Sequence, residues 1–239
     1  MISIIIPTLN EEKTIENTLK LLRVFTGDYE IIISDGGSHD NTISIAQKYT
    51  DRIVTPMGDF QNIAIGKNSG SKVAQGEYLV FLDADIVIPN INTFFKKAVE
   101  NFESNPNLVG LSSFIRTIPE AETKTDIVFR AMHNYFILFM NNIIHLGSGA
   151  GEFQMVRASA FNFIGGFDHD IIASEDYDLF RRLAKVGDVR SDSSLVVYEQ
   201  GRRAHKVGWF RLFFFIWLPN GLSVALFKKS ISKKWKEIR

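Results

Sequence analysis

The sequence predicts an α/β fold built on a mainly parallel, Rossmann-like sheet that is flanked by helices. Short apolar runs rich in β-branched residues alternate with amphipathic stretches through the first half of the chain. This alternation is typical of parallel strands joined by right-handed crossover helices. The chain has 239 residues, of which 45% are hydrophobic, and this size suits a single domain with a sizeable core.

Seven segments have the length and composition of strands. The first four are apolar, too short for helices and bounded by turn residues, and the last three are less regular. The predicted strands cover residues 2–6, 30–34, 52–55, 78–82, 108–115, 152–156 and 195–199.

Three helical patterns can be placed relative to these strands. Apolar residues recur at helical spacing over 15–22 after Asn10, which is predicted to cap that helix. Residues 43–49 follow Asp40 in the same way. Residues 125–146 form a long, mostly apolar pattern, for which a core helix is the default prediction. A dimer face and part of a lipid-acceptor groove are the alternatives.

The C-terminal part of the chain, 206–239, is predicted to be a helical extension of the domain formed by residues 1–205. It is strongly apolar, and Pro219-Asn220-Gly221 is expected to interrupt it, so a single membrane span is not predicted. The apolar part precedes a basic run, which suits peripheral contact with an anionic membrane surface. A helix packed on the sheet with a solvated tail is the alternative. The basic residues are Lys228, Lys229, Lys233, Lys234, Lys236 and Arg239.

Composition excludes several classes of function. Lys plus Arg and Asp plus Glu both number 27, so the neutral total gives no support for a nucleic-acid partner. The chain has no Cys, which excludes disulfides, thiolate metal sites and a Cys nucleophile. The N-terminus has neither a basic start nor a cleavage signal, which predicts no secretion peptide and a cytoplasmic location.

Two carboxylates follow the predicted strand over 78–82. In extended geometry Asp83 and Asp85 point to one face, on either side of Ala84. Hard cations such as Mg²⁺ prefer these oxygens and commonly share their shell with substrate phosphates. An ordinary turn at a strand end is the alternative, because Asp is common there.

Acidic and polar residues also follow the first two strands. Asp35 ends a buried strand and precedes Gly36-Gly37, which would let the backbone approach a ligand closely. An acid at this point can accept a hydrogen bond from a ribose or base. A plain turn with a capped helix is the alternative, and residues 7–12 have the same ambiguity. The carboxyl ends of neighbouring parallel strands meet at one edge, so these segments should lie near Asp83.

A third acidic group lies at the start of a predicted helix. Ser174 is the candidate cap, Gly187 closes the helix, and Asp176 falls on the inward face of the first turn. The helix dipole would stabilise an acid there, and partial burial would make it a better general base. General acid enrichment at helix starts explains Glu175 and Asp178 well, but it explains an inward Asp176 less well.

Together these segments resemble glycosyltransferase family 2, over roughly residues 2–187. The resemblance implies a single domain of the nucleotide-diphosphosugar fold called GT-A. One departure leaves the base of the nucleotide open: the family often has Asp-Asp-Gly-Ser where this chain has 35–38, Asp-Gly-Gly-Ser. The segments that carry the resemblance are 7–12, 35–40, 66–70, 76–85, 165–168 and 175–176.

The resemblance also implies roles for individual residues. Asp176 would be the catalytic base with Glu175 as its partner, and Asp85 would bind Mn²⁺ or Mg²⁺, with His205 as a second candidate ligand. The metal would neutralise the leaving diphosphate, so a single base and a single displacement would invert the anomeric carbon. The residues implied in binding the nucleotide-diphosphate sugar are Pro7, Thr8, Asn10, Glu12, Asp35, Lys67, Asn68, Asp83, Ala84, Arg202 and Arg203.

The acceptor is left open between a glycan hydroxyl and a polyprenyl-phosphate-type lipid, in glycan or glycolipid assembly. Residues 200–204, Gln-Gly-Arg-Arg-Ala, lack the Trp of the Gln-x-x-Arg-Trp motif, which argues against a processive polymerase. A solvated basic turn is the alternative for this stretch. Residues 147–151 are predicted to form an acceptor-side loop.

Two other functions compete with a glycosyltransferase. A sugar-phosphate nucleotidyltransferase would need a glycine-rich, basic loop after the first strand, whereas residues 7–12 are acidic and lack glycine. An inactive membrane-associated scaffold would have no need of Asp83, Asp85 and Asp176. The sequence does not specify the sugar, the acceptor or the oligomeric state.

Overall fold

The computed structural model describes residues 1–56 and 62–233, in which seven strands form one sheet with the order β3-β2-β1-β4-β6-β5-β7. Four neighbouring pairs are parallel, and β6 runs antiparallel to both β4 and β5. The predicted mainly parallel α/β fold is therefore confirmed. The strands are β1 Ile2–Thr8, β2 Tyr29–Asp35, β3 Ile53–Val54, β4 Tyr78–Leu82, β5 Leu108–Thr117, β6 Phe153–Arg157 and β7 Asp188–Glu199.

Helices cover both faces of the sheet. The α-helices are α1 Ile15–Leu22, α2 Thr42–Ala46, α3 Ile63–Val73, α4 Ile91–Ser104, α5 Lys124–Leu138, α6 Ala158–Phe163, α7 Glu175–Leu183, α8 Arg202–Val207, α9 Trp209–Arg211 and α10 Leu218–Phe227. Two π-helical segments, Phe139–Ile143 and Leu212–Trp217, continue α5 and join α9 to α10.

Each central strand supplies side chains to two cores. In β1, Ile4 and Ile6 pack with α1 and α4 on one face, and Ile5 packs with α3 and α7 on the other. Burial on both faces explains why these strands are almost continuously apolar. Thr8 pairs with Asp35 across β1 and β2, and Ile5 pairs with Phe81 across β1 and β4. The carboxyl ends of β1, β2 and β4 therefore lie at one edge of the sheet.

All seven predicted strands are present, with ends shifted by a few residues except in β7. That strand begins at Asp188, well before the predicted start at residue 195. Its first half is polar and partly exposed, so it has no apolar run, and its pairing with β5 defines it instead.

The predicted caps of the first two helices need correction. Helix α1 begins only at Ile15, after Thr14. Asn10 adopts φ 55° and accepts a hydrogen bond from the His39 backbone N–H through Oδ1 at 2.9 Å, so it stabilises a turn rather than a helix. Asp40 does accept the Thr42 N–H at 2.9 Å, but α2 ends at Ala46, three residues early.

The default prediction that residues 125–146 form a core helix is wrong. Helix α5 buries mainly polar residues, Asp126, Arg130 and Asn134, and exposes an apolar stripe. The buried polar groups find partners in the strands and loops beneath them, as Asn134 does by pairing with the Ile115 backbone N–H and C=O. Apolar composition alone did not reveal which face was inward.

The expected interruption at 219–221 is also wrong, because the chain stays helical from Trp209 to Phe227. Pro219 follows a π-helical segment, and Asn220 Nδ2 donates to the Ile216 carbonyl at 2.7 Å. By length and composition this stretch of 19 residues, with mean hydropathy 1.6, could cross a membrane, and 17% of its window is buried. The predicted basic residues Lys234, Lys236 and Arg239 lie outside the described residues.

Gly70 keeps α3 close to β1, and its substitution tests that contact. A Cβ at Gly70 would lie 2.4 Å from Cγ2 of the buried Ile5. Gly70→Ala should therefore lower the free energy of unfolding by about 1–3 kcal/mol, measured by urea denaturation. Gly221→Ala in α10 is the control, since its Cβ meets no atom within 4 Å. A Gly70→Ala protein as stable as wild type would contradict the packing.

Candidate active site

A fully buried lysine on α3 is the centre of the candidate site. Asn62 caps α3 by accepting the Ile65 N–H at 2.8 Å, and the helix then directs Lys67 inward. The Lys67 ammonium lies 2.6 Å from Asp176 Oδ1 and 3.7 Å from Glu175 Oε1. It also lies over the Phe167 ring, 4.9 Å from its centroid. Lys67 and Asp176, which are 109 positions apart in sequence, are therefore paired inside the protein.

The two oxygens of Asp176 have different surroundings. Oδ1 accepts hydrogen bonds from Lys67 Nζ at 2.6 Å and from Gln154 Nε2 at 2.9 Å. Oδ2 points toward Gly151, where an added Cβ would lie only 2.9 Å from it. The carboxylate is therefore held through Oδ1, while Oδ2 lies beside Gly151, where any other residue would place its Cβ against that oxygen.

The pKa values of Lys67 and Glu175 are both raised, but for different reasons. Burial would lower the pKa of Lys67, but Asp176, Glu175 and Asp83 outweigh it and hold the ammonium protonated. Burial, together with the charge of Asp176, raises the pKa of Glu175 to about 8. At neutral pH the Glu175 carboxyl is therefore mainly neutral, and Asp176 makes the shorter contact with Lys67.

The acids that follow β4 lie between this cluster and an arginine. Burial raises the pKa of Asp83 well above its usual range, and the charges of Asp85 and Asp176 raise it further. Asp85 Oδ2 accepts two hydrogen bonds from Arg202, at 2.7 and 3.1 Å. Arg202 also pairs with Glu11 at 3.3 Å. The predicted convergence of Asp83, Asp85 and Asp176 is therefore present in the structure.

The ends of β1 and β2 form a second polar group at the same edge. Asp35 accepts hydrogen bonds from the Thr8 hydroxyl at 3.0 Å, from the Gly37 and Ser38 N–H groups at 3.0 and 2.8 Å, and from the Ser38 hydroxyl at 2.5 Å. These bonds fix the carboxylate in place. The loop over 36–38 is thereby tied to the first strand.

Other residues predicted to bind nucleotide line the same edge. Glu12 Oε2 accepts the Asn41 N–H at 3.1 Å, so it joins the loops after β1 and β2 as Asn10 does. A Cβ added at Gly66 on α3 would lie 3.6 Å from Pro7 Cβ, in ordinary contact. The residues predicted for the nucleoside pocket are therefore neighbours, and their role in binding stays a prediction.

Four predicted residues make contacts within the protein that the sequence did not indicate. The Asn68 side-chain amide donates a hydrogen bond to the Phe167 carbonyl at 2.8 Å and accepts one from the Phe167 N–H at 2.9 Å. The His205 ring lies 2.9 Å from Asp126 Oδ2, so it contacts α5 rather than Asp85. The Ala84 carbonyl accepts the Thr18 hydroxyl at 2.9 Å, and Arg203 is half-buried beside Arg202 on α8. The proposed ligand roles of these four residues stay predictions.

Gln154 was not predicted as a site residue, and Gly151 and Glu11 were predicted only as parts of the segments 147–151 and 7–12. Gln154 is fully buried and is the one polar residue of the apolar run over 153–156. That interruption of an apolar strand was the available signal. Glu11 carried no comparable signal, because its importance depends on Arg202, which is 191 positions away.

A family model described as Glycosyl transferase family 2 matches residues 3–165. The chain belongs to glycosyl transferase family 2. This match covers more than half of the chain, and it includes the acids after β1, β2 and β4. Membership agrees with the sheet order and with the acidic edge.

Two curated proteins are similar to this family 2 member over part of its length. It is 28% identical over 186 residues to the poly-beta-1,6-N-acetyl-D-glucosamine synthase of Staphylococcus epidermidis, covering 73% of this chain and 43% of that protein. It is 33% identical over 112 residues to a PGL/p-HBAD biosynthesis glycosyltransferase of Mycobacterium bovis, covering 45% and 44%. The chain thus spans less than half the length of these relatives.

Solved GT-A glycosyltransferases share the fold. The mannosyltransferase PcManGT from Pyrobaculum calidifontis, in complex with GDP-Man and Mn²⁺, superposes with TM-score 0.77 at 19% identity, over 94% of this chain and 63% of that one. Glucosyl-3-phosphoglycerate synthase from Mycobacterium tuberculosis, with Mn²⁺ and UDP, gives TM-score 0.60 at 18% identity, over 87% and 75%. The GT-A fold is therefore confirmed.

The Asp85 carboxylate is the type of ligand that a hard divalent cation uses together with diphosphate oxygens. Among the described residues, no group of three or more His, Asp or Glu side chains could hold a metal by itself. The Asp85 carboxylate is 12% exposed and already neutralised by a cation, Arg202. Mg²⁺ and Mn²⁺ favour carboxylate oxygens and need only one or two when phosphates complete the shell.

Gly151→Ala tests whether the free oxygen of Asp176 needs open space. The new methyl group would lie 2.9 Å from Oδ2, so we expect kcat for sugar transfer to fall about ten-fold or more while donor binding persists. Steady-state transfer assays and thermal stabilisation by donor would separate the two effects. Unchanged transfer would show that Oδ2 does not face the reacting group.

The pKa of Glu175 predicts a pH-dependent stability. Between its ordinary value of 4.5 and about 8, folded Glu175 keeps a proton that the unfolded chain has released. The free energy of unfolding should therefore fall as pH rises through this window. Glu175→Gln, which mimics the neutral form, should fall less steeply in urea titrations. Glu103→Gln, at an exposed site, should follow wild type, and a matching Glu175→Gln curve would refute the buried neutral carboxyl.

Proposed function

We propose that this family 2 member is an inverting, divalent-metal-dependent glycosyltransferase with Asp176 as its general base. The observation that carries the proposal is the asymmetric holding of Asp176, with Lys67 and Gln154 on Oδ1 and Oδ2 left toward Gly151. A base must be fixed in position and keep one oxygen for the proton that it takes.

Inversion follows from the number of available groups. A single base, Asp176, suits a single displacement in which the acceptor oxygen attacks the anomeric carbon, the nucleoside diphosphate leaves, and Asp176 takes the hydroxyl proton. Glu175 is mainly neutral at pH 7 because burial raises its pKa to about 8. Its proposed part is to lie beside Lys67 without adding a second full negative charge, so that the Lys67 ammonium and the Asp176 carboxylate nearly balance.

Asp85 is the proposed protein ligand of Mn²⁺ or Mg²⁺. A bound metal would neutralise charge on the leaving diphosphate. Arg202 neutralises Asp85 through two hydrogen bonds to Oδ2. If a metal ion replaced Arg202 at that carboxylate, Arg202 would bind the diphosphate instead. Its planar guanidinium is suited to phosphate oxygens. The complexes of solved relatives with Mn²⁺ support this assignment.

The proposed donor is a nucleoside-diphosphate sugar bound across the ends of β1, β2 and β4. Asp35 and the loop over 36–38 would receive the nucleoside, and Asp83 would lie next to the ribose or sugar. The complexes of solved relatives with GDP-Man, UDP-GlcNAc and UDP support this donor class.

A hydroxyl group is the proposed acceptor, in glycan or glycolipid assembly. A lipid phosphate is already ionised, so it would have no need of the base that Lys67 and Gln154 hold in place. The proposed location is the cytoplasmic side of a membrane, with 206–239 as a peripheral extension of the domain over 1–205.

Asp176→Asn tests the base directly. Asn keeps the shape of the side chain. Removing the Asp176 charge lowers the raised pKa of Glu175, so Glu175 would ionise 3.7 Å from the Lys67 ammonium and compensate it, and folding and donor binding should persist. The kcat for transfer should fall by about 10²–10⁴. Asp178→Asn is the control, since Asp178 pairs with Arg182 on the same helix. Near wild-type turnover in Asp176→Asn would remove it from this role.

Asp85→Asn tests the metal and donor together. UDP-, GDP- and dTDP-sugars should be screened for thermal stabilisation with Mn²⁺, because ligand binding raises apparent stability. Wild type should be stabilised by one donor class only with metal, and chelation or Asp85→Asn should abolish the shift. Failure of every donor to bind or be hydrolysed would indicate the inactive scaffold instead.

A further inference from the structure

Helix α5 is inverted relative to a helix of a soluble protein. Its buried residues are mostly polar or charged, and its outward stripe is apolar. Soluble helices place the apolar face inward, so the outward stripe of α5 indicates a nonpolar environment. The outward residues of α5 and of the segment that follows it are 41–64% exposed: Val128, Met132, Tyr135, Phe136, Phe139, Ile143 and Leu146.

The C-terminal helical stretch has the same outward character. Its inner side buries Trp209, Leu212, Asn220 and Val224 against the domain. Its outer residues are 43–72% exposed: Phe210, Phe214, Phe215, Leu218, Leu222, Leu226 and Phe227.

The two stripes lie on helices that pack side by side. Phe129 of α5 stacks on Trp209 with ring centroids 5.4 Å apart, and it also contacts Phe213 at 6.1 Å. His133 lies against Trp217, with centroids 5.0 Å apart. We call the outward residues of these two helices together the apolar face.

The exposed charges on the two segments that carry the apolar face are all positive. Residues 127–146 and 206–233 contain no Asp or Glu, and the one acid at the start of α5, Asp126, is buried against His205 and Trp209. Exposed cations lie on the C-terminal stretch: Lys206, Arg211, Lys228, Lys229 and Lys233. A second copy of this chain would bring cations against cations, whereas an anionic bilayer complements both the apolar residues and the charge.

The apolar face belongs to the same segments that surround the acceptor side of Asp176. Asn141 exchanges two hydrogen bonds with the Ser148 backbone, at 2.7 and 2.9 Å, in the loop that carries Gly151. Arg181 of α7 donates to the Ala225 carbonyl of α10 at 3.0 Å. The face therefore lies next to the catalytic edge rather than on a remote part of the domain.

We propose that the apolar face docks flat on an anionic bilayer and that the acceptor is a membrane-borne amphiphile presented beside Asp176. The docking rests on the face alone, and the acceptor class rests also on the proposed transferase activity. Because Trp209, Leu212 and Val224 are buried against the domain, the proposal has the C-terminal stretch lie along the surface rather than cross the membrane.

Vesicle flotation of the full chain tests the docking. We expect binding to phosphatidylcholine vesicles with about one third phosphatidylglycerol, and about ten-fold less binding to phosphatidylcholine alone. Phe136→Ser/Phe215→Ser should lower binding about ten-fold, and Phe163→Ser, at an apolar site 79% exposed on α6, should not. Lys228→Glu/Lys229→Glu should also release the protein, while the adjacent exposed pair Lys96→Glu/Lys97→Glu on α4 should not.

Several results would overturn this inference. They are equal binding to neutral vesicles, insensitivity to Phe136→Ser/Phe215→Ser, resistance to alkaline carbonate extraction as a spanning helix would show, and a solution dimer that this double variant separates. Donor hydrolysis, measured in parallel, distinguishes the two proposals. Hydrolysis without vesicle binding contradicts the docking alone, and vesicle binding without hydrolysis of any donor contradicts the transferase proposal and leaves the docking.

Discussion

The buried ammonium of Lys67 is the interaction on which the candidate site depends. It is fully excluded from solvent, and it holds Asp176 at 2.6 Å and Glu175 at 3.7 Å. Removing one partner of a buried ion pair typically costs about 3–5 kcal/mol, because the other charge remains buried without compensation. The elements that carry the three residues, α3 and the start of α7, are therefore held together by the same charges that would perform the chemistry.

A second buried cation connects the site to the outer helices. Arg130 of α5 pairs with Glu152 at 3.0 Å and Glu199 at 2.7 Å, and it lies over the Trp209 ring at 5.2 Å. The Glu152 carbonyl in turn accepts the Asp83 N–H at 3.4 Å. This network explains why α5 turns its polar side inward, and it leaves the apolar side outward as a structural consequence. The catalytic edge and the apolar face are therefore connected through the contacts of Arg130.

The sequence was sufficient for the sheet and for the acids at its edge, because local patterns encode both. Apolar runs located every strand except the polar first half of β7. Asp83 and Asp85 follow a recognisable strand end, and Asp176 lies in the first turn of a recognisable helix. The orientation of α5 was not predictable in this way, since Arg130 is buried only because acids far along the chain, such as Glu199, compensate it. The continuity of the helix through Pro219 depended on a π-helical segment, which has no simple sequence signal. Gln154 was missed because its partner, Asp176, is 22 residues away in sequence.

A crystal structure with Mn²⁺ and the nucleoside diphosphate of the stabilising donor would test the central claim most directly. We expect an anomalous peak beside the Asp85 carboxylate, with Arg202 moved to the diphosphate. Lys67 and Gln154 should still hold Oδ1 of Asp176, with Oδ2 facing the donor across Gly151. A metal bound away from Asp85, or an Asp176 carboxylate turned from the cleft and released by Lys67, would contradict it.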